Sequence, residues 1–168
     1  MVEEKKANIM NTLSEDLRHA LRQWTTGVCV VCSQQSDILH GMTVNSFTSV
    51  SLDPPIISVS LAKNTRTLHL VQESGKFSIS ILSEDQKDIA DRFAGKILDN
   101  GDRFKGLDTF VLPGGGIAIQ NSLAWLECIV RTQIVLENST FYLADVTYAS
   151  VYKTEKPLIY HNRRYLSL

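Results

Sequence analysis

The sequence predicts a mainly β domain, an antiparallel barrel with short helices at its periphery. Apolar residues alternate with small polar residues in two segments, Ile57–Leu61 and Phe77–Ile81. Alternation with a period of two is typical of strands that bury one face. About six or seven such strands can be placed, and no strand–helix alternation is long enough for a parallel sheet. An antiparallel barrel fits this pattern best.

The sequence of the N-terminal part of the chain predicts a flexible tail, followed by a helix and two strands. Residues 1–13 are expected to form a flexible tail, and residues 14–168 a single domain. Ser14 can cap a helix whose first turn carries acidic side chains. The β-branched and apolar segment Val28–Cys32 predicts a buried strand, and Leu39–Val44 predicts its successor.

Composition and charge narrow the possible partners and location. The chain has 168 residues, of which 43% are hydrophobic and 21% charged, and its net charge is -1. Such a balance gives no electrostatic reason to expect binding to nucleic acid or to an anionic membrane. There is no apolar run of about 18 residues and no apolar stretch near the N-terminus. We therefore expect a cytoplasmic protein with no membrane partner.

The cysteines and histidines do not predict a metal or redox centre. Cys29 and Cys32 form a Cys-x-x-Cys pair, but they lie in a predicted strand, where residues three apart point to opposite faces. We interpret them as core thiols, with a functional role as the less favoured alternative. The four histidines are scattered, and no second cysteine pair could complete a tetrahedral site. The sequence predicts no metal.

Two polar segments are candidates for a ligand site. Six of the nine residues from Thr43 to Ser51 carry a hydroxyl or an amide, which suits a polar, anionic ligand. The alternative is a polar face against a partner subunit. The turn Lys63–Thr67 is doubly basic and enters a short helix, so that amide N–H groups and cations meet at a helix N-terminus. Here the alternative is an ordinary helix cap with solvated charges.

No catalytic constellation accompanies these segments. The chain has no Gly-x-Ser-x-Gly elbow, and its acidic residues fall on predicted helix surfaces and turns. The triple glycine Gly114–Gly116 lacks the third glycine and the strand-helix-strand context of a dinucleotide fold. Such a site favours a ligand that brings its own chemistry.

Several ordered motifs strongly resemble those of one family. The longest is Gly41–Pro55, and others are Ser60–Thr67, Arg92–Gly95, Asp102–Phe104, Ala124–Cys128 and Pro157–Tyr165. Together they resemble the short-chain flavin reductases, which are the reductase components of two-component flavin monooxygenases. The resemblance implies a dimeric split β-barrel that binds flavin, usually FMN and sometimes FAD. It also implies NADH or NADPH as co-substrate and a monooxygenase or another redox protein as acceptor.

The same resemblance assigns the site residues. His161 matches the near-terminal histidine on the nicotinamide side, where it would close the pocket or tune hydride transfer; the alternative is a Tyr-His pair at the barrel mouth. The implied flavin-binding residues are Thr43, Val44, Asn45, Ser46, Ser49, Val50, Ser51, Ser60, Ala62, Lys63, Thr65, Thr67, Arg92 and Phe93. The function expected is NAD(P)H:flavin oxidoreduction. An electron carrier without free flavin turnover and a non-enzymatic flavin-binding module are the alternatives.

Overall fold

The computed structural model describes residues 2–97 and 102–166, with side chains from Thr12 onward. Parts of the predicted tail, of the connection after Gly95 and of the C-terminus therefore lie outside the described residues. The helices are α1 (Val2–Leu21), α2 (Arg66–Ser74) and α3 (Lys87–Phe93), the last preceded by a 3-10 turn at Glu84–Gln86. The strands are β1 (Thr26–Gly27), β2 (Cys29–Gln35), β3 (Ile38–Val44), β4 (Thr48–Leu52), β5 (Pro55–Ala62), β6 (Lys76–Ile81), β7 (Thr109–Val111), β8 (Ile117–Ile119), β9 (Ala124–Val135), β10 (Ser139–Val151), β11 (Ile159–His161) and β12 (Arg164–Leu166).

A seven-stranded antiparallel sheet dominates the structure. Its strand order is β3-β2-β6-β9-β10-β5-β4, and two small sheets, β1-β11-β12 and β7-β8, pack around it. The prediction of a mainly β, antiparallel fold is confirmed. Within the described residues the large sheet is open, since β3 and β4 form its two edges and do not pair with each other.

One side chain links the end of the edge strand β3 to β5, which is the strand next to the opposite edge of the open sheet. The Ser46 hydroxyl, just after β3, donates to the Ser60 carbonyl of β5 (2.9 Å) and accepts from the Ser60 N–H (3.1 Å). These bonds satisfy backbone groups of β5 beyond the end of its neighbour β4, whose pairing reaches only Ser58. The sheet therefore curls, and the end of β3 is held against β5.

The two faces of β2 belong to two separate hydrophobic clusters. Cys29 and Val31 pack with residues such as Ile79 and Tyr142, whereas Cys32 packs with residues such as Leu82 and Phe93. Cys29 and Cys32 are 4% and 1% exposed. The expectation that the two thiols point to opposite faces of a strand is confirmed.

The first helix differs from the sequence-based expectation. It begins at Val2 rather than at Ser14 and continues to Leu21, so a helix occupies most of the segment expected to be a tail. Three of its apolar side chains, Leu13, Leu17 and Leu21, are each more than half exposed. Among the described residues, no helix is both long enough and apolar enough to span a membrane.

Candidate functional site

Three neighbouring chambers lie along the end of β3. The α2 chamber (about 620 Å³) is lined by His40, Met42, Thr43, Asn64, Thr65, Arg66, Phe93, Ala94 and Arg103. The neck (about 170 Å³) is lined by Val28, Thr43, Val44, Asn45, Ala94, Lys96, Tyr160 and Tyr165. The α1 chamber (about 640 Å³) is lined by Arg18, Leu21, Arg22, Trp24, Thr26, Asn45, Ser46, Thr48, Tyr160, Asn162 and Arg163. The α2 chamber and the neck share Thr43 and Ala94, and the neck and the α1 chamber share Asn45 and Tyr160. The three neighbouring chambers are together called the groove.

The wall of the groove depends on a close contact between β3 and α3. A Cβ atom on Gly41 would lie 2.8 Å from Phe93 Cε1 and 3.2 Å from Cys32 Sγ, so that any side chain there would force these neighbours to shift. Thr43 Oγ1 donates to the Ala90 carbonyl of α3 at 2.7 Å. Glycine thus lets Phe93 reach the strand, and Thr43 fixes the backbone of the wall against the helix.

The α2 chamber lies at a capped helix N-terminus. Thr65 has an extended backbone, and its Oγ1 accepts from Leu68 N (3.3 Å) and donates to the Ala62 carbonyl (2.9 Å). Arg66 is the first residue of α2, so a guanidinium adds to the positive end of the helix dipole. Arg103 Nη1 donates to the carbonyls of Phe93 and Gly41 and so supports the chamber wall. Because of these groups, the chamber suits an anionic ligand.

Lys96 and two tyrosines line the neck, and Asp91 pairs with Lys96 from outside the lining. Lys96 Nζ donates to Asp91 Oδ1 at 2.7 Å and lies 4.8 Å from the centre of the Tyr165 ring. The hydrogen bond to Asp91 raises the pKa of Lys96, so its ammonium stays charged at neutral pH. Tyr160 and Tyr165 are 5.5 Å apart between ring centres. The neck therefore combines aromatic surface with an ammonium group that is ion-paired to Asp91.

The α1 chamber is built by contacts between distant parts of the chain. His161 Nδ1 and Thr25 Oγ1 share a hydrogen bond of 2.9 Å, and Asn162 N donates to the Arg22 carbonyl at 3.0 Å. These bonds fasten the turn between β11 and β12 to the end of α1. Thr26 Oγ1 in the chamber wall is buried and has no hydrogen-bond partner among the described residues.

Six of the predicted flavin-binding residues line the groove. Thr43, Val44 and Asn45 line its neck, Ser46 the α1 chamber, and Thr65 and Phe93 the α2 chamber. Among them Asn45 is exposed, whereas the Ser46 hydroxyl is already bonded to β5.

The other predicted residues lie outside the lining of the three chambers. Ser49 and Val50 are exposed on the edge strand β4 and Ser51 is half-buried there. Ser60 is half-buried on β5, and Ala62 and Lys63 are exposed at its end.

Thr67 is fully buried, with Oγ1 2.8 Å from His40 Nδ1. Arg92 Nη1 donates to the Lys105 carbonyl. His161 is half-buried beside the chamber residues Tyr160 and Asn162. Their contact with flavin stays a prediction.

Sequence reasoning did not single out several cationic groups of the groove. Lys96, Arg18 and Arg22 line it but stand outside the motifs that resemble the flavin reductases. Arg163 lies within the motif Pro157–Tyr165 but was not assigned a role. Only the basic character of the turn before α2 pointed to Arg66. The others could not have been found from spacing, because tertiary contacts such as Asn162 N to Arg22 O bring them to the groove.

A fourth concavity, the glycine-loop cavity, lies beside β6 and β9 and has a volume of about 460 Å³. Its lining includes Gly114–Gly116, Glu127 and two of the cysteines. The Glu127 carboxylate accepts from Gly114 N and Gly116 N, at 2.7 Å each. Burial raises the pKa of Cys32 and Cys128 to about 12, so both thiols stay protonated at neutral pH. Within the described residues, no cluster of three His, Cys, Asp or Glu could hold a metal ion.

The donor set of the groove fits a flavin. A flavin phosphate needs cations and N–H donors, which Arg66 and the N-terminus of α2 offer. The carbonyl groups of the flavin ring system need hydrogen-bond donors, and its flat faces need apolar surface. Asn45 and Lys96 offer the donors, and Tyr160 and Tyr165 offer the aromatic surface. No carboxylate lines the neck, the α1 chamber or the α2 chamber among the described residues.

Comparison with known proteins agrees with this chemistry. The flavin reductase like domain model matches residues 21–168. The chain is 32% identical over 164 residues to the NADH-dependent flavin reductase StyB of Pseudomonas fluorescens, covering 96% of this chain and 94% of that protein. It is 33% identical over 155 residues to an NADH-dependent flavin reductase of Rhodococcus sp, covering 90% and 85%. The structure of the styrene monooxygenase flavin reductase of Pseudomonas putida S12 is similar, with a TM-score of 0.81, 31% identity and coverage of 91% and 97%. The chain belongs to the flavin reductase-like domain family.

Proposed function

We propose that the chain binds FMN in the groove and reduces it with NADH. The observation that carries the proposal is the set of shared lining residues that links the chamber at the capped N-terminus of α2 to the neck with the exposed amide of Asn45. Arg66 and the first amides of α2 would hold the phosphate. Thr43, Asn45 and Lys96 would lie against the ring system, with Ser46 and Ser60 keeping that wall in place.

The chain is an oxidoreductase that acts on flavin, as its family and its NADH-dependent relatives indicate. The flavin, when bound, supplies the acceptor for a hydride from the nicotinamide. The residues of the groove bind, orient and exclude water, and none has to act as a general base. This agrees with the absence of a lining carboxylate among the described groove residues.

His161 would act on the nicotinamide side of the groove. Its bond to Thr25 fixes the ring next to Tyr160, which borders both the neck and the α1 chamber. We expect His161→Ala to slow flavin reduction more than it weakens flavin binding, measured by stopped-flow reduction and FMN titration. Equal losses in both would contradict this role.

Lys63 stays a proposed phosphate ligand, although its side chain is exposed and outside the chamber lining. Lys63→Ala and Arg66→Ala can be compared in the same FMN titration. A loss of affinity in Arg66→Ala alone would move the phosphate contact from the turn to the helix.

We propose that the bound flavin is FMN rather than FAD. We also propose that the chain forms a homodimer with a split-barrel architecture. Val50 and Leu52 on the edge strand β4 are 52% and 88% exposed, and Ile134, Val135 and Leu136 at the end of β9 are each at least half exposed. An unpaired edge with exposed apolar side chains suits a second copy of the chain. Leu52→Glu should shift the mass measured by light scattering from dimer to monomer, and a monomeric unmodified protein would contradict the proposal. The cytoplasmic location stays a prediction.

NADH oxidation tests the function directly. We expect the protein to oxidise NADH in a reaction that depends on added FMN, and to pass the electrons to a separate oxygenase. The named role of the Pseudomonas putida relative, a styrene monooxygenase flavin reductase, supports an oxygenase acceptor. An absence of NADH oxidation with FMN and FAD would refute the proposal. Activity only towards a protein acceptor, with flavin retained, would favour the electron carrier.

A further inference from the structure

Lys96 is the one basic residue that lines the neck among the residues that the structure describes. The other residues of its lining carry no charge. The Lys96 side chain is 54% exposed, so its ammonium group is accessible to a ligand. Asp91, its ion-pair partner, is 22% exposed and lines none of the three chambers. A ligand in the neck therefore meets the ammonium group rather than the carboxylate.

The C-terminal end of α3 fixes the backbone of Lys96 next to Asp91. Gly95 has a positive φ angle of 72°, and its N–H donates to the Arg92 carbonyl at 3.1 Å. Lys96 N then donates to the Asp91 carbonyl at 3.0 Å. These two bonds, with a left-handed glycine between helix and loop, form a Schellman motif. The motif brings the backbone of Lys96 back to Asp91, so that the two side chains can meet.

Asp91 and Tyr165 hold the ammonium group in the neck. Lys96 Nζ donates to Asp91 Oδ1 at 2.7 Å and lies 4.8 Å from the centre of the Tyr165 ring. Tyr165 on β12 pairs with Tyr160 on β11, so the ring belongs to a sheet. Because a lysine ammonium carries three N–H donors, the bond to Asp91 leaves capacity for an acceptor on a ligand. The charge is therefore in place before a ligand enters.

Hydride transfer makes the flavin ring system anionic. In the step NADH + FMN → NAD⁺ + FMNH⁻, a C–H bond of the nicotinamide breaks and an N–H bond forms at flavin N5. Both electrons of the broken bond move with the hydrogen, so NADH is oxidised and FMN is reduced. No proton accompanies the hydride, and the ring system gains one negative charge. A fixed cation beside the ring therefore stabilises the reduced form, and the transition state leading to it, more than the neutral oxidised form.

We propose that Lys96 stabilises the negative charge that the flavin ring gains on reduction, and that Asp91 and Tyr165 position its ammonium group. The proposal rests on the proposed function, since it requires FMN in the groove. It goes beyond flavin binding, because a residue that only bound the ring would favour both oxidation states equally. Lys96 favours the reduced state.

The test is a charge series at position 96. Lys96→Arg keeps the positive charge, Lys96→Met removes it, and Lys96→Glu reverses it. Lys87→Met is the matched control, because Lys87 is exposed on α3 but lines none of the three chambers. The Kd of oxidised FMN and of dithionite-reduced FMN is measured anaerobically for each variant. The midpoint potential of bound FMN is measured by equilibration with reference dyes, and thermal melting checks that the variants are folded.

We expect Lys96→Met to raise the Kd of reduced FMN about tenfold more than the Kd of oxidised FMN, because a bond between two charged groups is lost only from the reduced state. This ratio corresponds to a fall of about 30 mV in the midpoint potential of a two-electron couple. Lys96→Glu should lower the potential further. Lys96→Arg and Lys87→Met should resemble the unmodified protein.

Two results would overturn the proposal while leaving the proposed function intact. Equal changes in the Kd of oxidised and reduced FMN would make Lys96 an ordinary ligand of the ring. A midpoint potential that stays constant across the series, in variants that bind FMN, would show that the charge at position 96 does not act on the ring. Failure of the proposed function looks different, because the unmodified protein would then neither bind FMN nor oxidise NADH, and the role of Lys96 would fall with it.

Discussion

The groove and the glycine-loop cavity are similar concavities with opposite uses of their polar groups. In the glycine-loop cavity the Glu127 carboxylate is occupied by two backbone N–H groups, and the Ser33 hydroxyl donates to the Lys76 carbonyl. In the groove, Asn45 presents an exposed amide between two cationic chambers. A concave surface alone therefore does not indicate a ligand site. Polar groups that stabilise the fold have little capacity left for a ligand.

Glu127→Gln should give the largest effect on stability while leaving the groove intact. A glutamine cannot accept both N–H groups equally, so Gly114 N or Gly116 N loses its charged acceptor. We expect a loss of about 1.5–3 kcal/mol in the free energy of unfolding, measured in urea. The Kd of FMN should be unchanged. Weaker FMN binding without loss of stability would mean that the glycine-loop cavity serves the flavin.

Gly41→Ala should disturb both stability and flavin binding. The added methyl would meet the Phe93 ring, which also packs edge-on against Phe104 at 5.0 Å between ring centres. Overpacking of this kind costs about 1–3 kcal/mol in the free energy of unfolding. Gly27→Ala is the control, because a Cβ there meets nothing within 4 Å. If both variants unfold at the same urea concentration as the unmodified protein, the wall of the groove is more adaptable than its packing suggests.

Asn45→Ala should weaken FMN binding, and Ser49→Ala should not. Asn45 borders both the neck and the α1 chamber, whereas Ser49 lies exposed on β4. Loss of one ligand hydrogen bond should raise the Kd of FMN about three- to tenfold, measured by fluorescence quenching. A larger effect from Ser49→Ala would show that β4 contacts the flavin, as the resemblance implies for Ser49.

The thiols should show the smallest effect. Burial raises the pKa of Cys29, Cys32 and Cys128 from 9.0 to about 12. Iodoacetamide at pH 8 should therefore leave the folded protein unmodified, as judged by mass spectrometry, and alkylate all three after denaturation. Folding raises the pKa of these thiols. Their contribution to the free energy of unfolding is therefore complete below pH 9.0 and is lost as the pH rises towards 12. Rapid alkylation of Cys32 or Cys128 would indicate an accessible glycine-loop cavity.

Much of the fold could be predicted because it depends on local alternation. The period-two patterns of Ile57–Leu61 and Phe77–Ile81 became β5 and β6, and the opposite faces of Cys29 and Cys32 followed from the same period. The start of α1 was missed, since the charged segment before Ser14 has no apolar periodicity that marks a buried helix.

The site could be predicted only in part, because the polar stretch Thr43–Ser51 is divided by tertiary structure. Thr43–Ser46 lines the groove, but the chain then reverses into β4, where Ser49 and Val50 face outward. Thr67 is hydroxyl-bearing like Thr65, yet its place in the first turn of α2 buries it against His40. Residue type alone did not distinguish these environments.

Hydrogen–deuterium exchange with and without saturating FMN tests the central claim most directly, because it reports on both concavities at once. We predict that FMN protects backbone amides over residues 41–46 and 64–68, which form the wall of the groove and the N-terminus of α2. Exchange over residues 114–117 should not change. Protection centred on residues 114–117, with none over residues 41–46, would contradict the account.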